Sequence, residues 1–120
     1  MQLTPHFSSE EMECPCGCGE KEVDNKAVRM LEKARVRADL PFKINSAKRC
    51  VKHNAEVGGV SSSAHVSGYA FDIAVNNNSK SRYRVIVSLI DAGFNRIGIA
   101  KTFIHCDADP RKPKNVVWVY

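Results

Sequence analysis

The stretch SSSAHVSGYAFDIAV, residues 61–75, passes from small and polar residues into an apolar run. The run FDIAV at 71–75 has the length and composition of a buried β-strand. His65 stands seven positions before Asp72, which lies inside this run. Two interpretations are open at this point. Either a loop and a strand happen to contain a histidine, or His65 and Asp72 are metal ligands, because zinc binds histidine nitrogen and aspartate oxygen.

A catalytic zinc site normally has three protein ligands and leaves a fourth position for water. The best third candidate is His105, which lies in FIHCDAD at 103–109. This segment is predicted to be a strand, so that Phe103, His105 and Asp107 share one face. Cys106 points to the other face and is predicted to be a core residue. The spacing alone leaves a metal site and an ordinary loop histidine both open.

The small residues of the first stretch are compatible with a metal site. Gly68 can adopt a conformation closed to other residues or let another backbone approach closely. Ala70 leaves space beside the metal. Ser63 carries a hydroxyl that can donate a hydrogen bond to a ligand or to a substrate oxygen.

Two main helices are predicted on either side of this stretch. The first begins at Asp24 or Asn25 and ends before Pro41. Its apolar stripe consists of Val28, Leu31, Ala34 or Arg35, and Ala38. The second is capped by Ser79 or Ser81 and extends to about Ala92. Its inner face is predicted to consist of Tyr83, Ile86, Val87 and Ile90.

Short strands are predicted at 42–46, 71–75, 96–100, 102–108 and 116–120. Trp118, in the last of these, is predicted to pack in the core rather than line a cleft. Because helices and strands do not alternate strictly, the elements predict an α+β fold. We expect one small domain over residues 1–120, with a central, mostly antiparallel sheet and two main helices.

The length and composition of the chain are typical of one globular domain. The chain has 120 residues, of which 43% are hydrophobic and 26% charged, and this balance excludes intrinsic disorder. The formal net charge of +5 favours an anionic partner such as nucleic acid, a membrane surface or cell wall, or serves solubility alone. Basic and aromatic residues do not interleave as they do on base-stacking surfaces, so no specific nucleic-acid partner is expected.

The chain lacks the sequence signals of membrane insertion and secretion. No apolar stretch approaches the ~20 residues of a membrane span. The N-terminal segment MQLTPHFSSEEMEC is polar and acidic, so we expect synthesis in the cytoplasm without a signal peptide. No extended heptad pattern is present, and a monomer is expected.

Five cysteines occur in the chain, and three of them lie in CPCGC at 14–18. An odd number of cysteines without a signal peptide argues against a disulfide framework. Cys14, Cys16 and Cys18 can form a second metal site with Cys50 as the fourth ligand. The alternative is reduced thiols without a metal, because C-x-C-x-C differs from the usual C-x-x-C spacing.

The segment SSAHVSGYAFD matches the pattern S-x-H-x-x-G-x-A-x-D at all five defining positions. It resembles the signature of the zinc D-alanyl-D-alanine carboxypeptidase and L-alanyl-D-glutamate endopeptidase family, which includes phage endolysins. The hedgehog signalling domain shares the fold of this family. The stretches LTPHFSSEEMECPCGCG, INSAKRCVKHNAEVGG and DPRKPKNVVWVY resemble the compact phage-type branch, so that the resemblance covers essentially the whole chain.

The resemblance implies a set of roles for residues of this chain. His65, Asp72 and His105 correspond to the ligands of a Zn²⁺ ion. Arg49 corresponds to the arginine that contacts the substrate carbonyl or carboxylate, and Ser63 can help to orient the substrate. The implied function is zinc-dependent hydrolysis of the peptide stems of bacterial peptidoglycan, as a carboxypeptidase or an endopeptidase. Such an enzyme acts at the cell wall after release from the cell or as part of a virion.

The sequence departs from the family pattern at the general base. Many members carry Glu or Asp three residues before the last histidine, and here that position is Thr102. Asp107 is the nearest carboxylate and is the candidate base. Its alternative role is to hydrogen-bond a ligand histidine and fix its tautomer.

Two other functions remain open at this stage. The first is a catalytically inactive, zinc-stabilised structural or binding module of a phage particle. The second is a nucleic-acid-binding protein, which the positive charge and the Cys and His content favour.

Overall fold

The computed structural model describes residues 1–120 and contains seven strands, three α-helices and one short 3-10 helix. The strands are β1 (Gln2–Thr4), β2 (Phe7–Ser8), β3 (Ile44–Ser46), β4 (Ala70–Ala74), β5 (Arg96–Ile99), β6 (Phe103–Asp107) and β7 (Val116–Val119). The helices are α1 (Asn25–Ala38), α2 (Val51–Glu56) and α3 (Ser79–Asp91), and the 3-10 helix spans Ser9–Met12. None of the helices combines the length and the hydropathy that a bilayer crossing requires.

A five-stranded sheet with the order β3–β4–β6–β5–β7 forms the centre of the fold. The pairs β3–β4, β4–β6 and β5–β6 are antiparallel, and only β5–β7 is parallel. Strands β1 and β2 form a separate two-stranded sheet. The predicted α+β class, with a mostly antiparallel sheet and two long helices, is confirmed.

Helix α1 forms where its sequence predicts it. The side chain of Asp24 accepts a hydrogen bond from the backbone N–H of Ala27 at 2.9 Å and so caps the first turn. The helix ends at Asp39, which has a left-handed backbone with φ of 53°. The buried side chains of the helix are those of Ala27, Val28, Leu31, Ala34 and Ala38, which confirms the predicted stripe.

Helix α3 presents a face that only partly matches the predicted one, since Ile86 packs against the core as expected. Tyr83 and Ile90 are 68% and 51% exposed, so their assignment to the inner face was wrong. The buried residues are Val85, Ser88 and Leu89. The physical reason is a hydrogen bond that Ser88 Oγ accepts from Arg37 Nη1 of α1 at 3.3 Å. This bond allows a polar residue to occupy a buried position, whereas a prediction from apolar periodicity places only apolar residues there.

The cap of α3 was also misplaced. Asn78, rather than Ser79 or Ser81, accepts hydrogen bonds from the backbone N–H groups of Lys80 and Ser81. Asparagine caps helices as well as serine does, so composition alone did not decide between these neighbours.

The two faces of the sheet have different chemistry. Phe71, Ile73, Ile104 and Cys106 belong to the main hydrophobic core together with side chains of α1 and α3, which confirms the prediction for Cys106. Because side chains alternate along a strand, the intervening residues of β4 and β6 point to the opposite face. That second face carries the polar residues predicted to form the site.

Candidate metal centre

One row of residues crosses the second face of the sheet. Asp72 of β4 is paired directly with His105 of β6, and Ser46 of β3 is paired with Asp72. On the other side, His105 is paired with Gly98 of β5, which is paired in turn with Trp118 of β7. Two candidate ligands are therefore placed side by side by the register of two antiparallel strands.

His65 reaches this row from the loop before β4. Its Nδ1 is hydrogen-bonded to the backbone carbonyl of Ala47 at 2.7 Å, which makes Nδ1 the donor. Its backbone N–H donates to Ser63 Oγ at 3.2 Å. The remaining ring nitrogen, Nε2, is buried, has no hydrogen-bond partner, and lies 3.3 Å from Asp72 Oδ1. A buried nitrogen lone pair without a partner is the arrangement that a bound cation satisfies.

His105 completes the centre. Its Nδ1 lies 3.0 Å from Asp72 Oδ1, and its Nε2 lies 2.6 Å from Asp107 Oδ2. One ligand atom from each of His65, Asp72 and His105 lies within 4.8 Å of the other two, and all three residues are buried. Two nitrogens and one carboxylate oxygen are a donor set that zinc accepts, and three protein ligands leave a position for water. The residues therefore fit a catalytic zinc ion.

The charges at the centre favour a cation. Burial alone would raise the pKa of Asp72, but the hydrogen bond to His105 and the closeness of the His65 imidazole hold that pKa well below its usual range. Burial lowers the pKa of His105, whereas its hydrogen bonds to Asp107 and Asp72 raise it, and the net result is a raised pKa. The Asp72 carboxylate therefore lies next to one ring nitrogen of each histidine, and its negative charge attracts a cation to that place.

Asp107 is completely buried, and both of its oxygens have partners. Oδ2 contacts His105, while Oδ1 accepts the backbone N–H of Asp109 at 3.0 Å. The Nε of Arg96 also lies 3.0 Å from Oδ1. This arrangement is that of a carboxylate that holds the second ring nitrogen of a ligand histidine and thereby fixes its orientation.

Arg49 is held at the edge of the same centre by three contacts. Its Nε donates to Ser46 Oγ and its Nη1 to Asn54 Oδ1, both at 3.1 Å. Its Nη2 lies 3.5 Å from Asp72 Oδ2. The guanidinium is therefore fixed beside the candidate ligands with little freedom to move.

A cleft of about 460 Å³ opens over these residues. Its walls include Arg49, Ser63, His65, Asp72, His105 and Asp107, so every residue predicted for the site lies in one place. Thr102, which stands at the position of the missing acidic residue, is exposed and is not part of the cleft wall.

Trp118 lines this cleft, and the prediction that it packs in the core was wrong. Its indole lies over the ring of His105, with the ring centroids 5.3 Å apart. This position depends on the pairing of β7 with β5, which brings Trp118 next to Gly98. The pattern of a single strand does not reveal which residue lies beside it on the next strand.

Sequence reasoning missed two further residues of the site. Asn54 is 2% exposed and connects Arg49 to the backbone carbonyl of Val60, to which its Nδ2 donates at 2.8 Å. Gly59 packs directly against this amide, since a Cβ at that position would lie 2.1 Å from Asn54 Oδ1. The consecutive glycines of VGG at 57–59 were the only signal in the sequence, and a glycine pair alone does not indicate which side chain packs against it.

The four cysteines named above also come together. Cys14, Cys16, Cys18 and Cys50 each place a sulfur within 4.8 Å of the others. They lie outside the wall of the cleft, and three of them line a separate surface depression.

Comparison with known proteins agrees with this geometry. A search of curated proteins returned no match. A protein-family model described as Peptidase M15 matches residues 5–107, a range that includes Arg49, Ser63, the three candidate ligands and Asp107. Since the match spans most of the sequence and the ligand-bearing strands with it, this chain belongs to the peptidase M15 family.

Proposed function

We propose that this protein is a zinc-dependent hydrolase of the peptide stems of bacterial peptidoglycan. Membership of the M15 family implies zinc peptidase activity. What we propose in addition is that the substrate is the peptide stem of the bacterial cell wall. The observation that supports it most is the convergence of His65, Asp72 and His105 in one cleft beside a fixed arginine. We also propose that the enzyme acts at the cell wall, either after its release from the cell or as part of a virion.

His65 Nε2, an Asp72 carboxylate oxygen and His105 Nδ1 would hold the zinc ion. A zinc ion held by these residues would supply a Lewis acid and would allow a water molecule to lose its proton near neutral pH. The chain fixes the two imidazoles from behind, through the carbonyl of Ala47 and the carboxylate of Asp107. Both rings therefore present a defined nitrogen to the cleft.

Arg49 would bind the oxygen of the scissile carbonyl or a substrate carboxylate. A guanidinium stays charged at all relevant pH values and offers parallel N–H donors that match a carboxylate. Its position is set before substrate arrives, because Ser46 and Asn54 accept hydrogen bonds from it. A donor held in place in this way stabilises developing negative charge without reorganisation.

Ser63, which also lines the cleft, would help to orient the substrate. Its oxygen already accepts a hydrogen bond from the backbone of His65, which leaves the hydroxyl hydrogen free to donate into the cleft.

For Asp107 we propose the positioning role rather than that of the base. A general base has to reach the water whose proton it takes, and Asp107 is fully buried behind the ring of His105. The contact with Arg96 helps to hold the carboxylate in place, and its hydrogen bond then fixes the orientation of the imidazole.

The cleft suits a peptide that carries carboxylates. Arg49 and Lys112 supply positive charge to the wall, whereas the charge of Arg96 is offset by Asp107. Phe103, Trp118 and Tyr120 also line the cleft, with the ring of Tyr120 next to the other two, and these aromatic surfaces suit the aliphatic parts of a stem peptide. The net charge of +5 would also favour binding to an anionic wall polymer.

The test is mass spectrometry of peptides released from purified Gram-negative peptidoglycan, with and without a zinc chelator. We expect release that the chelator abolishes and that a His105→Ala variant lacks, and the product masses will identify the bond that is cut. Lys80→Ala, an exposed change on α3, serves as the matched control and should release peptides at the wild-type rate. Absence of release from several wall chemistries by the zinc-loaded protein would refute the proposal.

A second candidate function is favoured by one observation. No carboxylate of the cleft has a free oxygen in the position expected of a general base, since Asp107 is buried and paired. An inactive zinc-stabilised module of a phage particle would have this arrangement. Zinc bound at about one equivalent in the cleft, together with no hydrolysis of wall peptides, would favour this candidate.

A further inference from the structure

Four thiols from two distant parts of the chain meet at one point. Cys14, Cys16 and Cys18 come from the segment before α1, and Cys50 comes from the start of α2. The sulfur of Cys14 lies 3.5 Å from that of Cys16 and 3.8 Å from that of Cys50. The sulfurs of Cys16 and Cys50 are 3.5 Å apart, and the sulfur of Cys18 lies within 4.8 Å of the rest.

These distances match a tetrahedral metal site better than a disulfide. A Zn–S bond of about 2.3 Å in a tetrahedron places neighbouring sulfurs about 3.8 Å apart. A disulfide requires about 2.05 Å between sulfurs, and none of the cysteines is paired in this way. All four sulfurs surround one centre, whereas a disulfide would join only two of them.

The local backbone is built to turn around that centre. Gly17 and Gly19 have φ of 88° and 85°, in the left-handed region, and each follows a cysteine of the cluster. Gly17 lets the chain turn between Cys16 and Cys18, and Gly19 lets it turn directly after Cys18. A regular helix or strand could not direct three cysteines in a C-x-C-x-C spacing toward one point. The irregular backbone of this segment can therefore direct all three sulfurs toward the same centre.

Backbone N–H groups point at the sulfurs. The N–H of Cys50 donates to Cys14 Sγ at 3.5 Å, that of Glu20 to Cys18 Sγ at 3.5 Å, and that of His53 to Cys50 Sγ at 3.3 Å. Such contacts stabilise negative charge on sulfur, which a metal-bound thiolate carries and a neutral thiol does not. Cys50 also takes the N-cap position of α2, where Ser, Thr, Asp or Asn is the usual residue.

From this geometry we propose that Cys14, Cys16, Cys18 and Cys50 bind a second Zn²⁺ ion, which has a structural role. Four protein ligands fill the coordination sphere and leave no position for water or substrate. As each sulfur coordinates, its thiol proton passes to solvent, so that the loaded site carries four thiolates on one divalent ion.

The second ion would fasten the N-terminal segment to the loop that holds the cleft arginine. Cys50 follows Arg49 directly, and the carbonyl of Ala47 in the same loop supports His65. No helix or strand includes residues 13–24, so the cluster adds a connection between this segment and residue 50. The Cys site is thus expected to stabilise the geometry of the cleft without taking part in its chemistry.

The experiment counts zinc by mass spectrometry of the metal in chains purified under reducing conditions. We expect about two Zn²⁺ per wild-type chain and about one in a Cys16→Ser, Cys18→Ser double variant. Both of these cysteines are exposed, so their replacement removes two ligands without disturbing the core. A Cys106→Ala variant also removes a thiol, but from the hydrophobic core, and should keep about two zinc ions.

A second measurement identifies the ligands even if the cysteine variants fail to fold. In a His65→Ala variant, we expect about one zinc per chain, and X-ray absorption should show four sulfur ligands at about 2.3 Å. Nitrogen or oxygen ligands in that variant would overturn the proposal. So would a full complement of iron in place of zinc, or a disulfide within the cluster of the anaerobically purified protein.

The inference stands independently of the proposed function. A protein with no activity on cell-wall peptides still supports it if the cysteine double variant loses one of two zinc ions. Conversely, an active protein with about one zinc per chain, unchanged in the double variant, refutes the structural site and leaves the hydrolase intact.

Discussion

The indole of Trp118 occupies the space that a side chain at Gly98 would need. A Cβ on Gly98 would lie 2.7 Å from Trp118 Nε1, closer than nonbonded atoms approach. The same indole lies over His105 and has the guanidinium of Arg96 at 5.3 Å from its ring centroid. A glycine on one strand therefore allows an aromatic side chain of the next strand to cover a candidate metal ligand.

Gly98→Ala should displace Trp118 and weaken the site. The β5 backbone is hydrogen-bonded on both sides, so the indole rather than the strand has to move. We expect kcat/KM to fall about tenfold, which corresponds to about 1.4 kcal/mol. Since Trp118 is the only tryptophan of the chain, its fluorescence spectrum reports the displacement directly. A Gly98→Ala, Trp118→Phe double variant should lose less than the sum of the two single changes, and strict additivity would contradict the steric argument.

Gly59→Ala should make the side chain of Arg49 more mobile, because it disturbs Asn54, which holds that side chain in place. The added methyl group would collide with Asn54 Oδ1 and break the hydrogen bond from Arg49 Nη1. We expect KM to rise about tenfold or more while the zinc content stays at the wild-type level. Steady-state kinetics and metal analysis on one preparation provide the check.

Gly58→Ala is the matched control for that change. Gly58 has φ of 76°, and a Cβ there would meet no atom within 4 Å. The control should therefore lose about 1 kcal/mol of folding free energy through backbone strain and keep the wild-type KM. Equal effects of the two substitutions on KM would show that loop strain, and not the position of Arg49, governs substrate binding.

Asp107→Asn separates the two roles of that carboxylate. If Asp107 orients His105, zinc affinity should fall about 10–100-fold, and the pH profile at saturating zinc should keep its shape. Competition with a chromogenic chelator measures the affinity. Unchanged zinc affinity together with loss of the acidic limb of the rate profile would instead identify Asp107 as the base.

Asp109→Asn is the control for Asp107→Asn. Asp109 is 1% exposed, but its side chain contacts Arg111 rather than His105. We expect this variant to be less stable, since it loses part of the charge on a buried carboxylate that the side chain and the backbone N–H of Arg111 bind, and to bind zinc as the wild type does.

Glu32→Gln should lower the free energy of unfolding near neutral pH and have little effect in strong acid. Burial raises the pKa of Glu32, but hydrogen bonds to Thr4 and His6 lower it, and the net pKa is lowered. A carboxyl whose pKa is lower in the folded state stabilises the fold above its unfolded pKa of about 4.3 and loses this effect as the pH falls through the folded value. We expect a loss of about 1 kcal/mol at neutral pH, because His6 is 40% exposed and the pair is partly screened. Urea titrations at neutral pH and below pH 3 check the sign, and an equal loss at both pH values would contradict it.

The sequence predicted the features that depend on one segment at a time. The apolar stripe of α1 and the alternation of β6 are local patterns, and they placed Leu31 in the core and His105 on the polar face. Register between strands is not local. The side-by-side position of Asp72 and His105 followed from the resemblance to a family, whereas nothing in either segment alone specified it.

The errors have the same origin. Trp118 was assigned to the core because large aromatic side chains are usually buried there, and only the β5–β7 pairing shows that it covers Gly98 instead. Ser88 was missed because its partner, Arg37, is 51 positions away in the chain. Polar residues in buried positions are explained by their partners, and a single sequence does not identify partners across such distances.

Transfer of this metal centre to another protein scaffold would require the loop after β3 as well as the three ligands. Within four positions it provides the carbonyl of Ala47 that orients a ligand, the guanidinium of Arg49 and the thiol of Cys50. Grafting the three ligands alone would leave His65 free to rotate and the cleft without its fixed cation. The smallest part of the fold that could be transferred therefore consists of the ligand-bearing strands, this loop, and the N-terminal segment whose cysteines meet Cys50.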